Sequence, residues 1–219
     1  MKKILVCMMV LAMVFSTAAL AAERADVESA AQAVVGADAR LVEYEMDDGY
    51  YELEYASDTA RYDVTLDRDG VVIEMDADFR DVRRSSETVL DEAAATDAAL
   101  AFLGSGTAQY ALLERDDGRY EWNVFFTDGS DVGVVSVQTE TGEILSVERY
   151  YGLASQILSA DAAVDALNAA QGPLEVVELD IDLDDGRAPR YDGKALVDGR
   201  AYEFEMNAAT GDVYEWERD

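Results

Sequence analysis

Turn motifs recur three times along this chain at intervals close to 70 residues. One series ends Asp-Asp-Gly turns with Gly49, Gly118 and Gly186. Two further series keep the same step, and they contain Gly70, Gly142 and Gly211, and Asp58, Asp128 and Asp198. A constant interval of this size is typical of one supersecondary unit used several times. The sequence therefore predicts a repeated scaffold, which is more often a binding device than an enzyme.

Within each interval an alanine-rich helical segment precedes a set of strands. The predicted N-caps of the helices are Asp26, Ser86 or Thr88, and Ser159, and the helices are predicted to end at Gly36, Gly104 and Gly172. The strands alternate apolar and acidic side chains, and Asp-Gly pairs between them favour tight hairpins. Each unit is therefore predicted as one helix packed on a four-stranded antiparallel meander. This is an α+β fold of three tandem repeats at residues 26–80, 86–150 and 157–219, of which the first is divergent.

The alternation also predicts which side chains face the core. On the core side we expect Tyr51, Leu53, Tyr55, Trp122, Val124, Tyr202, Phe204 and Met206. In water we expect the glutamates between them, Glu52, Glu54, Glu121, Glu203 and Glu205. Phe125 is an exception, because it places an aromatic ring on the polar side of its strand. Pro189 is expected to delay or bulge the second strand of the third unit.

The first 21 residues are predicted to be an export signal rather than part of the fold. Lys2 and Lys3 precede an apolar run over residues 4–15, and Ala19-Leu20-Ala21 fits a small-x-small cleavage site. The run is shorter than the roughly 20 residues that span a bilayer, so no membrane insertion is expected after signal peptidase cleavage near Ala21. The mature protein is expected to be secreted or extracytoplasmic, in the cell wall or the periplasm.

Composition excludes several kinds of chemistry for the mature chain. The sequence contains no histidine, and its single cysteine, Cys7, lies in the export segment. Thiolate nucleophiles, imidazole bases, disulfides and Cys/His zinc sites are thereby excluded. Cleavage would also remove Lys2 and Lys3 from the 17 basic side chains, whereas all 47 acidic ones would remain. Such a charge repels nucleic acid and anionic membranes, so cations, basic peptides or neutral protein surfaces are the expected partners.

The spacing of Asp180, Asp182 and Asp184 matches the start of a calcium-binding loop. The glycine expected at the sixth position is Asp185, and the glutamate expected at the twelfth is Tyr191. An acidic strand that runs into a hairpin is the other interpretation. These three aspartates are thus weak metal candidates, calcium is the one cofactor left open, and no catalytic residue is predicted.

Three other features have simpler structural explanations. Asp58-Thr59-Ala60 is similar to an aspartic-protease motif, but it has no second copy and falls at a predicted hairpin. Lys194, the one lysine outside the export segment, lies in a polar stretch and is expected to be an exposed charge. Trp122, Trp216 and Tyr202 are expected in the core, although exposed aromatic side chains would be anchors for a partner.

A strand pair joined by a Thr-Gly turn closes the third unit. Residues 201–213 contain Tyr202-Glu203-Phe204-Glu205 followed by Thr210-Gly211-Asp212-Val213, and the second unit has Thr141-Gly142-Glu143. The first unit has Asp69-Gly70 and lacks the Thr-Gly pair. The pattern resembles the PepSY family, most clearly in the third unit. The resemblance implies an exported, non-catalytic protein that binds, and inhibits or regulates, an extracytoplasmic protein such as a protease. It also implies a likeness to the group that resembles β-lactamase inhibitor proteins, which use tandem helix-plus-four-strand units.

The sequence therefore favours two alternative functions. The first is a secreted, non-enzymatic PepSY-repeat protein that binds and regulates another protein, with a peptidase as the example. The alternative is an acidic extracytoplasmic module that binds calcium or other cations. Calcium should raise the thermal stability strongly in the second case and little in the first.

Overall fold

The computed structural model describes residues 22–79, 90–116, 119–183 and 188–219. The predicted export segment 1–21, the predicted caps Ser86 and Thr88, and Asp184 lie outside these ranges. The elements of the described chain follow the order α1 (Arg24–Val35), β1 (Arg40–Asp47), β2 (Tyr50–Ala56), β3 (Ala60–Leu66), β4 (Val72–Phe79), α2 (Glu92–Leu103), β5 (Thr107–Asp116), β6 (Arg119–Asp128), β7 (Asp131–Gln138), β8 (Ile144–Tyr150), α3 (Ala160–Gln171), β9 (Glu175–Asp182), β10 (Arg190–Val197), β11 (Arg200–Asn207) and β12 (Val213–Arg218).

The strands form two antiparallel sheets in the described chain. β1 to β8 form one sheet with the order β1-β2-β3-β4-β8-β7-β6-β5, and β9 to β12 form a second one in the order β12-β11-β10-β9. The predicted α+β class with antiparallel meanders is thereby confirmed. The first two meanders share a sheet because β4 pairs with β8, where Met75 lies opposite Val147. The division into three copies of one repeat, at residues 26–80, 86–150 and 157–219, stays a prediction.

The helix ends follow the predicted chemistry in part. All three helices stop before glycines with positive φ, at Gly36, Gly104 and Gly172, as predicted. The prediction that Asp26 caps α1 is wrong, because the helix begins at Arg24 and Asp26 lies within its first turn. There its carboxylate faces the positive end of the helix dipole. At α2 the N-cap is Asp91, whose side chain accepts a hydrogen bond from Ala94 N–H at 2.9 Å.

The first core lies between the eight-stranded sheet and the two helices α1 and α2. Its buried side chains include Val27, Ala31, Tyr51, Leu53, Tyr55, Val64, Met75, Ala95, Ala99, Val124, Phe126 and Val135. The predicted strand register is confirmed, since six of the eight expected core residues in the two sheets are buried and none of the five glutamates is. The other two, Trp122 and Tyr202, are half-buried.

The second core lies between the other face of the second meander and the third helix-and-sheet segment. Leu112, Phe125 and Val132 of the eight-stranded sheet cluster with Ala163 and Leu167 of α3 and with side chains of the second sheet. Phe125 is only 2% exposed, which explains why an aromatic residue interrupts the polar side of its strand. Burying such a side chain stabilises the fold by about 1.5–3 kcal/mol. The third segment therefore covers the outer surface of the second.

The entry to each helix is tied to its sheet in the same way. In each segment the residue two places before the helix donates its N–H to a backbone carbonyl in the loop between the third and fourth strands. These hydrogen bonds, of 2.7–2.8 Å, run from Ala22 to Arg68, from Leu90 to Thr139 and from Leu158 to Ala208. In each segment an aromatic side chain of the second strand donates to the carbonyl of that same residue, and these donors are Tyr51, Trp122 and Tyr191. One local geometry is thus used at all three helix entries.

The second strand of the second sheet starts late and is bulged, as Pro189 predicts. β10 begins at Arg190, directly after Pro189, and its register with β9 shifts between Lys194 and Ala195. Because proline has no N–H to give to a ladder, strand pairing begins after it.

Candidate functional site

Two rows of acidic side chains run across the face of the eight-stranded sheet that lies opposite α1 and α2. One row joins directly opposed residues on four strands, Glu43, Glu54, Asp63 and Asp76. The other joins Glu45, Glu52, Thr65, Glu74 and Glu148 in the same manner across five strands. We call this surface the acidic face. Like charges that lie directly opposite on neighbouring strands repel each other, so the arrangement costs stability.

Little positive charge compensates the acidic face. Among the described residues, the ion pair on this face joins Arg61 to Glu54. Arg61 is itself well exposed, with 57% of its side chain accessible, and exposed ion pairs contribute only about 0–1 kcal/mol. The face therefore keeps a strong negative potential.

The carboxylates in the middle of the acidic face resist ionisation. Partial burial within the sheet raises the pKa of Glu74, and the charges of Asp76, Glu148 and Glu52 raise it further. Burial followed by Glu148 and Asp63 raises the pKa of Asp76. Both residues still contact solvent, so these shifts reflect the crowding of like charges as well as desolvation. A cation placed over the face would lower both pKa values.

The acidic face ends at a sheet edge that pairs with no described strand. β1 is the terminal strand of the eight-stranded sheet, and its sequence contains no lysine or proline, two residue types that often protect edges. Val42, at a bulge in the pairing with β2, is 56% exposed, and Met46 is 57% exposed. Met46 lies opposite the buried Tyr51, so it belongs to the helix side of the sheet. We call the outer side of this strand the β1 edge.

The second sheet provides a contrast. Its outer surface also carries acidic side chains, which include Glu178, Glu203, Glu205 and Glu215. Here Lys194 Nζ lies 2.9 Å from Glu178, and Arg190 pairs with Asp182 and with Glu205, the latter at 3.2 Å. Cations within this surface offset part of its negative charge.

A further acidic group lies where the two sheets meet, at β5 and β9. Glu114 accepts a hydrogen bond from Asn123 Nδ2 at 2.6 Å, and Ser136 Oγ donates to Asn123 Oδ1 at 2.7 Å. The pKa of Glu114 is raised to about 7, mainly by burial and next by the charges of Asp180 and Glu178 on β9, while the hydrogen bond from Asn123 lowers it. The pairing of this carboxylate with an amide orients it within the junction.

Asp180 lies on the other side of this junction. Crowding by protein around its carboxylate raises its pKa to about 6, and the charges of Asp192 and Glu178 contribute next, while Lys194 opposes them. Because the residue as a whole keeps solvent contact, repulsion from the neighbouring carboxylates contributes to the raised pKa alongside desolvation. The two sheets thus meet across carboxylates that repel when ionised.

The aspartates of the predicted calcium loop fall near this junction. Asp180 and Asp182 both lie on β9, where Asp182 pairs with Arg190, and Asp184 is outside the described residues. In the described ranges no group of three or more Asp, Glu, His or Cys side chains is arranged to hold a metal ion. Calcium binding at these residues stays a prediction.

The other singled-out residues occupy structural positions. Asp58 is exposed in the turn between β2 and β3. Lys194, expected to be an exposed charge, keeps 35% of its side chain accessible and pairs with Glu178 at 2.9 Å. Trp122 donates its indole N–H to Leu90 O at 3.1 Å. Tyr202 and Trp216 stack with their ring centroids 4.9 Å apart.

The Thr-Gly pairs of the sequence form matching turns. Gly142 and Gly211 have φ of +76° and +77°, a region that favours glycine. Their N–H groups donate to Gln138 O and Asn207 O at 3.0 and 2.8 Å. In both turns the threonine Oγ1 accepts from the N–H two residues ahead at 3.3 Å. The motif is therefore turn chemistry rather than a catalytic or ligand site.

The first segment makes the corresponding turn with an aspartate. Asp67 Oδ1 accepts from the N–H groups of Asp69 and Val71, both at 2.9 Å, and Gly70 N–H donates to Asp67 O at 3.0 Å. The Asp67 carboxylate thus accepts the N–H that follows the glycine, which the threonine hydroxyl accepts in the other two segments.

These turns and the helix-plus-meander order define an α+β module. A comparison with family models matches residues 157–217 to PepSY, described as the peptidase propeptide and YPEB domain. The predicted PepSY resemblance is thereby confirmed for that segment. A search of curated proteins finds no match.

A search of solved structures finds matches of low sequence identity, among them three of 14–15%. The YpeB C-terminal domain of Bacillus megaterium is 14% identical with a TM-score of 0.47, and the match covers 90% of this chain and 98% of that one. A putative lipoprotein from Clostridium difficile 630 is 15% identical with a TM-score of 0.33, over 61% and 95% of the two chains. A BLIP-like protein from Bacteroides fragilis NCTC 9343 is 14% identical with a TM-score of 0.26, over 59% and 88%.

In the part of the chain that the structure describes, no helix is both long and apolar enough to cross a membrane. The helices there have 12 residues each, against the roughly 20 that span a bilayer.

The two acidic rows were missed by sequence reasoning. The alternating strand pattern predicts that Glu52 and Glu54 face solvent, but it does not predict which carboxylates lie beside them. The available signal was the recurrence of acidic pairs two residues apart, at Glu43 and Glu45, Glu52 and Glu54, and Glu74 and Asp76. Alternation places both members of each pair on one side of their own strand, but only the pairing register brings the pairs onto one face of the sheet.

Proposed function

We propose that this protein is a non-enzymatic extracytoplasmic module that binds, and inhibits or regulates, another protein, such as a peptidase. The observation that carries the proposal is the acidic face. Its opposed carboxylates are held at a cost in stability, and a basic protein surface laid over them would remove that cost. Charge complementarity of this kind speeds association and selects among partners.

The residue inventory supports a binding role over catalysis. The chain has no histidine, and Cys7 falls within the predicted export segment, so the common nucleophile–base pairs that need these residues are excluded. Glu114, with its raised pKa, hydrogen-bonds to Asn123 inside the junction of the two sheets. Its position between packed strands suits a structural role.

The location is inferred from the start of the sequence and the domain. The predicted signal at residues 1–21, with cleavage near Ala21, would export the chain. The PepSY match at residues 157–217 supports an extracytoplasmic regulatory role. The partner class is a protein, and neither nucleic acid nor membrane insertion is part of the proposal.

A binding assay with a matched pair of proteins tests the proposal. The full chain is titrated against a basic protein and an acidic protein of equal size, at low and at physiological salt. We expect binding to the basic one alone, weakened by salt because exposed charges are screened beyond ~8 Å at physiological ionic strength. Replacing Glu43, Glu52 and Glu54 by glutamine should weaken it, whereas replacing Glu203 and Glu215 on the second sheet should have less effect.

Two outcomes would redirect the assignment. Turnover of broad peptide, ester or glycoside substrates that is abolished by one carboxylate substitution would make the protein an enzyme. A large rise in Tm with calcium, lost on replacing Asp180 and Asp182 by asparagine, would favour the cation-binding module. Inhibition of secreted peptidases by the full chain would support the regulatory part of the proposal.

A further inference from the structure

The β1 edge combines an open strand with a one-sided charge pattern. Residues 43–47 of β1 pair with β2 in continuous register, so the other side of the strand presents backbone N–H and C=O groups at alternate residues. No described strand pairs there. An edge of this kind accepts an added strand from another chain.

The charge on this strand determines which added strand it accepts. Glu43 and Glu45 project on the acidic face, next to Glu54 and Glu52 respectively. A second copy of β1 would bring further glutamates beside these and be repelled. A strand with lysine or arginine at alternate positions would instead place each cation beside a carboxylate, at the ~4.5–5.5 Å separation of cross-strand neighbours.

The other side of β1 is apolar at the same edge. Tyr44 lies opposite the buried Leu53, and Met46 lies opposite the buried Tyr51. Met46 is nevertheless 57% exposed, so apolar surface stays open on the helix side of the edge. The residues of an added strand that alternate with its cations would cover this surface.

The geometry points to the β1 edge as a docking site for an extended, basic segment of a partner protein, with basic and apolar side chains in alternation, which adds to the sheet as a ninth strand. This inference rests on the proposed binding function and names the form of the partner. Backbone hydrogen bonds provide affinity in this mode, and the alternating side chains provide selectivity.

The other free edge supplies a matched control. β12 ends the second sheet, and Tyr214 lies at its bulge just as Val42 lies at the bulge of β1. Tyr214 is 58% exposed, which matches Val42 at 56%. Glu215 and Glu217 of β12 lie next to Glu205 and Glu203 of β11. On the following strand, β10, Arg190 pairs with Glu205 and Lys194 lies opposite Glu203. The strand two places in from β1, β3, has one cation, Arg61, so the β12 edge should attract a basic strand less.

The test uses peptides of eight residues, the length of β1, that alternate lysine and valine. A second peptide carries methyl groups on alternate backbone nitrogens, which keeps its charge but removes half of its donors. Binding to the full chain is measured by fluorescence anisotropy. We expect the methylated peptide to bind at least about tenfold more weakly, since several hydrogen bonds of about 1 kcal/mol are lost. The Val42→Pro variant, which removes one backbone donor of β1, should weaken binding about fivefold. The Tyr214→Pro variant should stay close to wild type.

Further measurements keep the inference falsifiable if Val42→Pro disturbs the fold. Amide exchange of residues 43–47 should slow when the unmethylated peptide is bound, while that of β12 should not change. Equal affinity for both peptides, or a loss with Tyr214→Pro alone, would overturn strand addition at β1. In that case continued salt-sensitive binding would leave the proposed function intact, whereas no binding of any basic probe would overturn both.

Discussion

Phe125 and Tyr110 lie on neighbouring strands with their ring centroids 6.1 Å apart and their planes inclined by 46°. Both belong to the outer surface of the second meander, and both contribute to the core shared with the third segment. The contact lies on the part of the sheet surface that the third segment covers. The same surface that is acidic and open over the first meander is aromatic and covered over the second.

Phe125→Ala should therefore destabilise the protein strongly. Large-to-small changes of buried phenylalanine cost about 3–5 kcal/mol, because a cavity remains. Phe79, which is half-exposed at the end of β4, provides the control, and Phe79→Ala should cost much less. Urea unfolding of both variants measures the difference, and equal losses would show that the second core contributes little.

Gly133→Ala should disturb the eight-stranded sheet through lack of space. A Cβ at this position would lie 2.1 Å from Glu148 O and 2.6 Å from the Phe126 ring. The backbone or the ring would have to move, and overpacking typically costs about 1–3 kcal/mol. At Gly129 a Cβ meets nothing within 4 Å, but φ is +63°, so Gly129→Ala should cost about 1 kcal/mol from backbone strain alone. Thermal unfolding of the two variants distinguishes the two causes, and a smaller loss at Gly133 would contradict the packing argument.

The junction carboxylates should make stability fall as pH rises. The pKa of Glu114 is raised by burial and by Asp180 and Glu178 to about 7, so the folded state binds its proton more tightly than the unfolded state does. Its protonated form imposes no penalty below the unfolded pKa near 4.5, and the penalty grows as pH rises towards about 7. Asp180, with its pKa raised to about 6, acts in the same direction.

Glu114→Gln tests this dependence, because it removes the charge while keeping an amide of similar shape. The variant should be more stable than the wild type above pH 7, and the two should converge near pH 4. Glu217→Gln, at an exposed position on β12, is the control and should leave the slope unchanged. Denaturant midpoints recorded from pH 4 to pH 8 would contradict the assignment if the Glu114→Gln slope matched that of the wild type.

The helix caps give a matched pair of substitutions. Asp91 accepts a hydrogen bond from Ala94 N–H, whereas Ser159 occupies the N-cap of α3 without a side-chain hydrogen bond. Asp91→Ala should cost about 1 kcal/mol, the usual value for a lost N-cap, and Ser159→Ala should cost less. Chemical unfolding of the two variants provides the comparison, and a greater loss at Ser159 would show that the capping argument fails.

Much of the fold was accessible from local patterns. The stopping glycines Gly36, Gly104 and Gly172 located the helix ends, because positive φ is available to glycine at little cost. Alternation placed Leu53 and Val124 in the core, because successive side chains of a strand point to opposite faces. The predicted cap of α2, Ser86 or Thr88, is wrong, because Asp91 caps this helix.

The candidate site was less accessible. That Glu52 and Glu54 face solvent follows from their own strand, and the sequence predicted it. That Glu43, Glu54, Asp63 and Asp76 form one row depends on the pairing of four strands. A shift of one residue in any pair would have broken that row.

The sequence by itself determined the hairpins, the C-terminal ends of the helices and the inward face of the central strands, because these depend on turn chemistry and on side-chain periods within a few residues. Only the tertiary structure decided that β4 pairs with β8, that the third segment covers Phe125, and that β1 remains an open edge. These outcomes depend on packing between residues far apart in the chain, as where Met75 meets Val147 and where Phe125 joins the core of α3. Burial of apolar surface drives such contacts and is not directional, so a local pattern shows that a face must be covered but not what covers it.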